Sequence, residues 1–194
     1  MDSTLTPTAS DALTTPDGQP RRWGAIGMWI FLATDAMGFG GLFIAYGFLR
    51  ARAATWPDPR AHLGLLGAAA MTFGLLASAF TVGEAARAAS PRARAGWLAA
   101  TLLLGAAFLG GEVAEYARLW TAATPVRLGD LYGATFYVLT GYHGLHVAAG
   151  LIWLVSALWG RSPRRSVEVG ALYWQFVDLA WTPIFTFLYL VPAR

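Results

Sequence analysis

Cysteine is absent from the 194 residues, and so is lysine; all 14 basic residues are arginine. The lack of cysteine excludes disulfides, thiolate-bound metals and the paired-cysteine copper centres of electron-transfer proteins, so any redox metal must lie elsewhere or use other ligands. Charge is also scarce. Charged residues are 13% of the chain against 56% hydrophobic and 14% aromatic, too apolar for an ordinary soluble domain. The net charge of +3 comes from short arginine clusters between apolar runs, which reads as membrane flanks and not as a nucleic-acid surface. No nucleic-acid partner is expected. The first residues are rich in Ser, Thr, Pro and Asp, with no basic stretch ahead of an apolar core. Residues 1–22 are therefore expected to form a disordered cytoplasmic tail and not a signal or transit peptide.

What is present is a set of five long apolar runs, at about Trp23 to Leu49, His62 to Ala86, Ala95 to Trp120, Tyr132 to Trp159 and Glu168 to Pro192. Each approaches the ~20 residues that a helix needs to cross about 30 Å of hydrocarbon. The fold class expected is an all-α integral membrane protein, a single bundle of five transmembrane helices over residues 23–194. Trp56-Pro57-Asp58-Pro59, Ser90-Pro91, Thr124-Pro125 and Ser162-Pro163 supply turns between the runs. With the N-terminus inside, the cytoplasmic side would hold Arg21, Arg22, Arg87, Arg92, Arg94, Arg161, Arg164 and Arg165. The other side would hold Arg50, Arg52, Arg60, Arg118, Arg127 and Arg194. That asymmetry favours a cytoplasmic N-terminus and an outside, periplasmic C-terminus. Trp23, Trp56, Trp97, Trp120 and Trp159 fall near predicted helix ends, as an interfacial aromatic belt requires.

Polar groups inside these runs each need a reason, because hydrocarbon tolerates few of them. Asp35 is predicted midway along the first helix, His143 and His146 midway along the fourth, and Asp178 midway along the fifth. Both aspartates should face the bundle interior, either protonated or paired, with the histidines as partners. Such a cluster reads as an interhelical hydrogen bond, a proton or substrate path, or a contact to another subunit. The two histidines are three residues apart on one helix, so they share a face and cannot clamp a haem between them. His62 is predicted at a membrane surface. Glu112 and Glu115, with Tyr116, share a face near the outer end of the third helix. Their spacing differs from the Glu and Glu-x-x-His pattern of di-iron bundles, so they are expected to be solvated, to meet lipid headgroups or to touch another subunit. Trp174, Asp178 and Trp181 share a face of the fifth helix, and Pro183 is expected to kink its outer half.

Four segments resemble one family. GYHGLHV at Gly141 to Val147, LYWQFVDLAW at Leu172 to Trp181, WIFLATDAMGFGGLFIAY at Trp29 to Tyr46 and FLGGEVAEY at Phe108 to Tyr116 are similar to segments of subunit III of the haem-copper respiratory oxidases. The chain departs from the family pattern at Asp35 (usually Glu), Gln175 (usually His) and Glu112 (commonly Gln). The resemblance covers roughly Trp23 to Leu190 and implies the five-helix form, which lacks the first two helices of larger members. It also implies a non-catalytic chain of the aerobic respiratory chain, in a bacterial cytoplasmic membrane. Haem and copper are then expected in partner subunits I and II, with this chain packed on subunit I, supporting proton uptake and turnover stability and binding phospholipid. Two alternatives stay open at this point: an accessory chain of a quinol oxidase or nitric oxide reductase, and a small proton or ion transporter.

Overall fold

The computed structural model describes residues 23–57, 63–122, 126–159 and 163–191. Among these residues there are five helices: α1 (Trp23–Arg52), α2 (Leu65–Arg87), α3 (Pro91–Thr121), α4 (Leu131–Trp159) and α5 (Pro163–Phe185), the last continuing as a π-helical turn over Thr186–Leu190. No strand occurs among the described residues. His62, Asp58, Pro59 and the Thr124-Pro125 turn lie outside them, as does the N-terminal tail.

Two helices start earlier than the apolar pattern indicates, and α3 shows why. The Ser90 side chain accepts from the Ala93 backbone N–H at 3.1 Å and Pro91 occupies the first helical turn, so Ser-Pro starts the helix. The polar residues 91–94 then extend it beyond the hydrocarbon run. Pro163 likewise opens α5, ahead of the predicted start at Glu168.

Four helices, α1 to α4, are long and apolar enough to cross a membrane. The fifth is the more polar one, with Arg164, Arg165, Glu168, Gln175 and Asp178 along its length. It is nevertheless the centre of the bundle, packing against α1, α2 and α4. A helix buried on most of its circumference need not be apolar enough for lipid, provided that its polar atoms find partners.

Helices consecutive in the chain alternate in direction, so α1 and α5, which pack together, run parallel. Tyr46 near the end of α1 meets the end of α5, while Trp153 late in α4 reaches Ser166 early in α5 at 3.1 Å. Trp56 departs from the expected interfacial belt: it is 3% exposed and folds inward between Tyr46 and Tyr132, edge-on to both at 5.6 Å. The terminal turn beyond Pro183 widens instead of simply breaking, with the Val191 N–H donating to the Thr186 carbonyl at 3.2 Å. The Phe187 carbonyl, near the helix end where intrahelical donors run out, accepts the Tyr46 hydroxyl at 2.7 Å.

Candidate functional site

The polar side chains within the spans form two separate groups. The first joins α1 to α4. Asp35 lies opposite His146, whose Nε2 is 3.1 Å from Oδ1 and 3.0 Å from Oδ2; the hydrogen bond is directed at Oδ1. The Tyr142 hydroxyl donates to the same Oδ1 at 3.1 Å. His146 Nδ1 lies 2.6 Å from the Tyr142 carbonyl, and the His146 carbonyl accepts the Tyr173 hydroxyl of α5 at 3.0 Å. Both ring nitrogens therefore face oxygen. The Tyr142 carbonyl can only accept, so Nδ1 carries a hydrogen, and one further proton sits between Nε2 and Asp35.

His143 points the other way, into the core. It is completely buried, with Nε2 3.2 Å from the Val177 carbonyl and its ring against Phe108 and Trp181. Asp178, next to Val177, is 4% exposed and forms no hydrogen bond with either histidine. The Ala79 backbone N–H lies near its carboxyl but outside hydrogen-bond geometry. The expected histidine partnership thus holds for Asp35 alone, because residues 143 and 146, although on one helix turn, diverge enough to serve different helices.

The second group fills the interface of α3, α4 and α5. Glu112 and Glu115 are 6% and 8% exposed, which corrects the expectation of solvated or headgroup-facing carboxylates. Glu115 accepts the Tyr189 hydroxyl of α5 at 2.6 Å and Arg118 at 3.2 Å. Glu112 Oε1 is 2.9 Å from the Tyr116 hydroxyl, which is 2.6 Å from Thr140 Oγ1. The reason is local: Glu112, Glu115 and Tyr116 share the helix face that meets α4 and α5, and donors on those helices substitute for water.

Trp174 ties the helices together. It is fully buried, its indole N–H donates to Ser78 of α2 at 2.8 Å, and its ring lies where a Cβ on Gly105 of α3 would approach to 2.6 Å and one on Gly150 of α4 to 2.8 Å. One turn-pair further along α5, the Trp181 indole N–H donates to Thr72 at 2.9 Å. Tyr142, Thr140, Tyr173, Tyr189, Ser78 and Thr72 were not singled out from the sequence. Their only signal was a hydroxyl inside an apolar run, which does not name its partner.

Residues 21–192 match the family described as Cytochrome c oxidase subunit III. The chain belongs to the cytochrome c oxidase subunit III family. It is similar to cytochrome c oxidase subunit 3 of Thermostichus vulcanus, 33% identical over 177 residues and 86% of each chain. It is also similar to the probable cytochrome c oxidase subunit 3 of Mycobacterium tuberculosis, 35% identical over 86% of this chain and 87% of that one. A third relative is the cytochrome bo(3) ubiquinol oxidase subunit 3 of Pseudomonas putida, 36% identical over 86% and 84%. In this subunit III chain, Gln175 sits on the exposed side of α5, away from both polar groups. Among the described residues no cluster of three or more His, Asp or Glu side chains could hold a metal. The imidazoles do not fit haem ligation either: both nitrogens of His146 are engaged, and the fully buried His143 has Nε2 on a backbone carbonyl and, although its Nδ1 has no partner, its ring is packed between Phe108 and Trp181.

Proposed function

We propose that the chain is the non-catalytic subunit III of a haem-copper terminal oxidase of the cytochrome c oxidase type, packed on subunit I and assembled with subunit II. The family match over residues 21–192 carries this reading. The commitment of the described buried histidines to hydrogen bonds, and the lack of cysteine, support a role outside the electron path. In the membrane the chain is oriented with its N-terminus cytoplasmic, and α5 crosses as the fifth span within the shelter of α1, α2 and α4.

A contact with another subunit is further supported by Gln175. Its amide is exposed midway along α5, in line with Leu179 and Thr182 on the same outward stripe, and a polar group facing hydrocarbon at that depth calls for a protein partner. The cleft between α1, α4 and α5, about 590 Å³, supports a phospholipid-binding role: Met28, Phe31 and Val169 suit an acyl chain and Arg165 a phosphate. The quinol-oxidase relative favours one second reading, in which the electron donor is a quinol.

Deleting this chain tests the role. In membranes matched for subunit I, haem content should be unchanged and oxygen consumption measurable at first, then slowed in proton uptake or progressively lost during turnover. Immediate, complete loss of electron transfer with all haem and copper retained would refute it. A co-purifying subunit II with or without a copper-binding cysteine pair distinguishes cytochrome c from quinol as donor.

A further inference from the structure

Glu112, Tyr116 and Thr140 form a chain of oxygens that ends on a backbone carbonyl. Glu112 Oε1 to Tyr116 Oη is 2.9 Å, Oη to Thr140 Oγ1 is 2.6 Å, and Oγ1 to the Phe136 carbonyl is 2.7 Å. Oxygens this close need a hydrogen between each pair. The tyrosine and threonine hydroxyls supply one hydrogen each, and the carbonyl supplies none. Three links therefore have two hydroxyl hydrogens, and the third can come only from the carboxyl.

We infer that Glu112 is a buried proton-binding site: its Oε1–H donates to Tyr116, Tyr116 donates to Thr140, and Thr140 donates to the Phe136 carbonyl. If the proton leaves, Tyr116 turns to donate to the carboxylate, and two hydrogens remain for three links. Either Thr140 stays on the Phe136 carbonyl and the 2.6 Å contact with Tyr116 loses its hydrogen, or Thr140 turns to Tyr116 and the 2.7 Å contact with Phe136 loses it. One proton thus sets the direction in which Tyr116 donates.

The surroundings fit a neutral acid. On its own helix the titratable groups facing Glu112 are Tyr116 and Glu115, and Glu115 is already matched by Arg118 and Tyr189. From α5 comes the Tyr189 phenol and from α4 the Gly144 backbone, where a Cβ would come within 2.7 Å of Oε2. His143 beside it is turned to Val177, and Met71 of α2 packs at Gly111. The one cation among them, Arg118, is held on Glu115. Tyr116 also lines an apolar cavity of about 570 Å³ with Val113, Trp120, Leu128 and Tyr137, where α3 ends and α4 begins.

Infrared spectroscopy of the assembled complex tests this through the carbonyl stretch of protonated carboxylic acids, identified by its shift in D2O. Glu112→Gln should abolish one such band at neutral pH, whereas Asp35→Asn and Asp178→Asn should leave that band in place. Tyr116→Phe should keep the band and shift it, because the acceptor of the acid hydrogen is gone. Loss of ionised-carboxylate intensity alone in Glu112→Gln would overturn the inference. So would an unmoved band in Tyr116→Phe, a readout that stands even if the glutamine variant does not assemble.

Discussion

Asp35 and His146 show how a single polar contact inside hydrocarbon is made self-sufficient. The histidine ring is held by its own helix at one nitrogen and by α1 at the other, and Tyr142 adds a second donor to the carboxyl. Whether the shared proton sits on nitrogen or on oxygen, every polar atom of the contact except Oδ2 keeps a directed partner. Removing the carboxyl should therefore matter more than removing its charge. Asp35→Asn is expected to lower stability by less than about 1 kcal/mol, since an amide still meets Nε2 and the Tyr142 hydroxyl. Asp35→Leu strands both and should cost about 1–3 kcal/mol. Thermal unfolding of the detergent-solubilised complex measures the difference, and equal midpoints for the two variants would rule out this account.

At the scale of elements, α5 is held by its tryptophans. Trp174 occupies a slot that exists only because α3 and α4 present Gly105 and Gly150, and its N–H fixes α2 through Ser78. Packing of this kind substitutes for the hydrophobic effect, which supplies little association energy between helices in lipid. Gly105→Ala should destabilise the bundle by about 1–3 kcal/mol, because the ring cannot retreat from Gly150 on its other side. The atoms that Gly105 would strike, Cη2 and Cζ2, belong to the outer ring of the indole. In a Trp174→Phe background those atoms are missing, so the additional cost of Gly105→Ala should shrink. A double-mutant cycle on unfolding midpoints gives the coupling, and strict additivity of the two changes would show that the slot is not what constrains α5.

At the scale of the molecule, the alternating helices assign the ends of the bundle. The first turn of α3, with Arg92, lies at the opposite end from the α3–α4 connection, with Gly129. Single cysteines at Arg92 and Gly129, in a chain with no native cysteine, should react with an impermeant thiol reagent from opposite sides of the membrane. Labelling of both from one side would overturn the topology. The same end-to-end alternation puts the Glu112 and Glu115 group near the end where α4 begins, and the cleft lined by Arg165 at the other.

The sequence by itself determined the helical class, the approximate spans and the positions of Asp35, His143, His146 and Asp178 along their helices, because length and composition are one-dimensional quantities, while four motif segments carried the resemblance to the family. It also put Trp174, Asp178 and Trp181 on one face of α5. Depth does not give azimuth, however, so the divergence of His143 from His146 and the isolation of Asp178 from both became visible only when the helices were placed around one another. The burial of Glu112 and Glu115, and of Trp56, was decided in the same way. Their partners, Tyr189, Thr140 and Tyr132, lie far along the chain, and which side of a helix meets them depends on how five helices pack, not on the residues beside them.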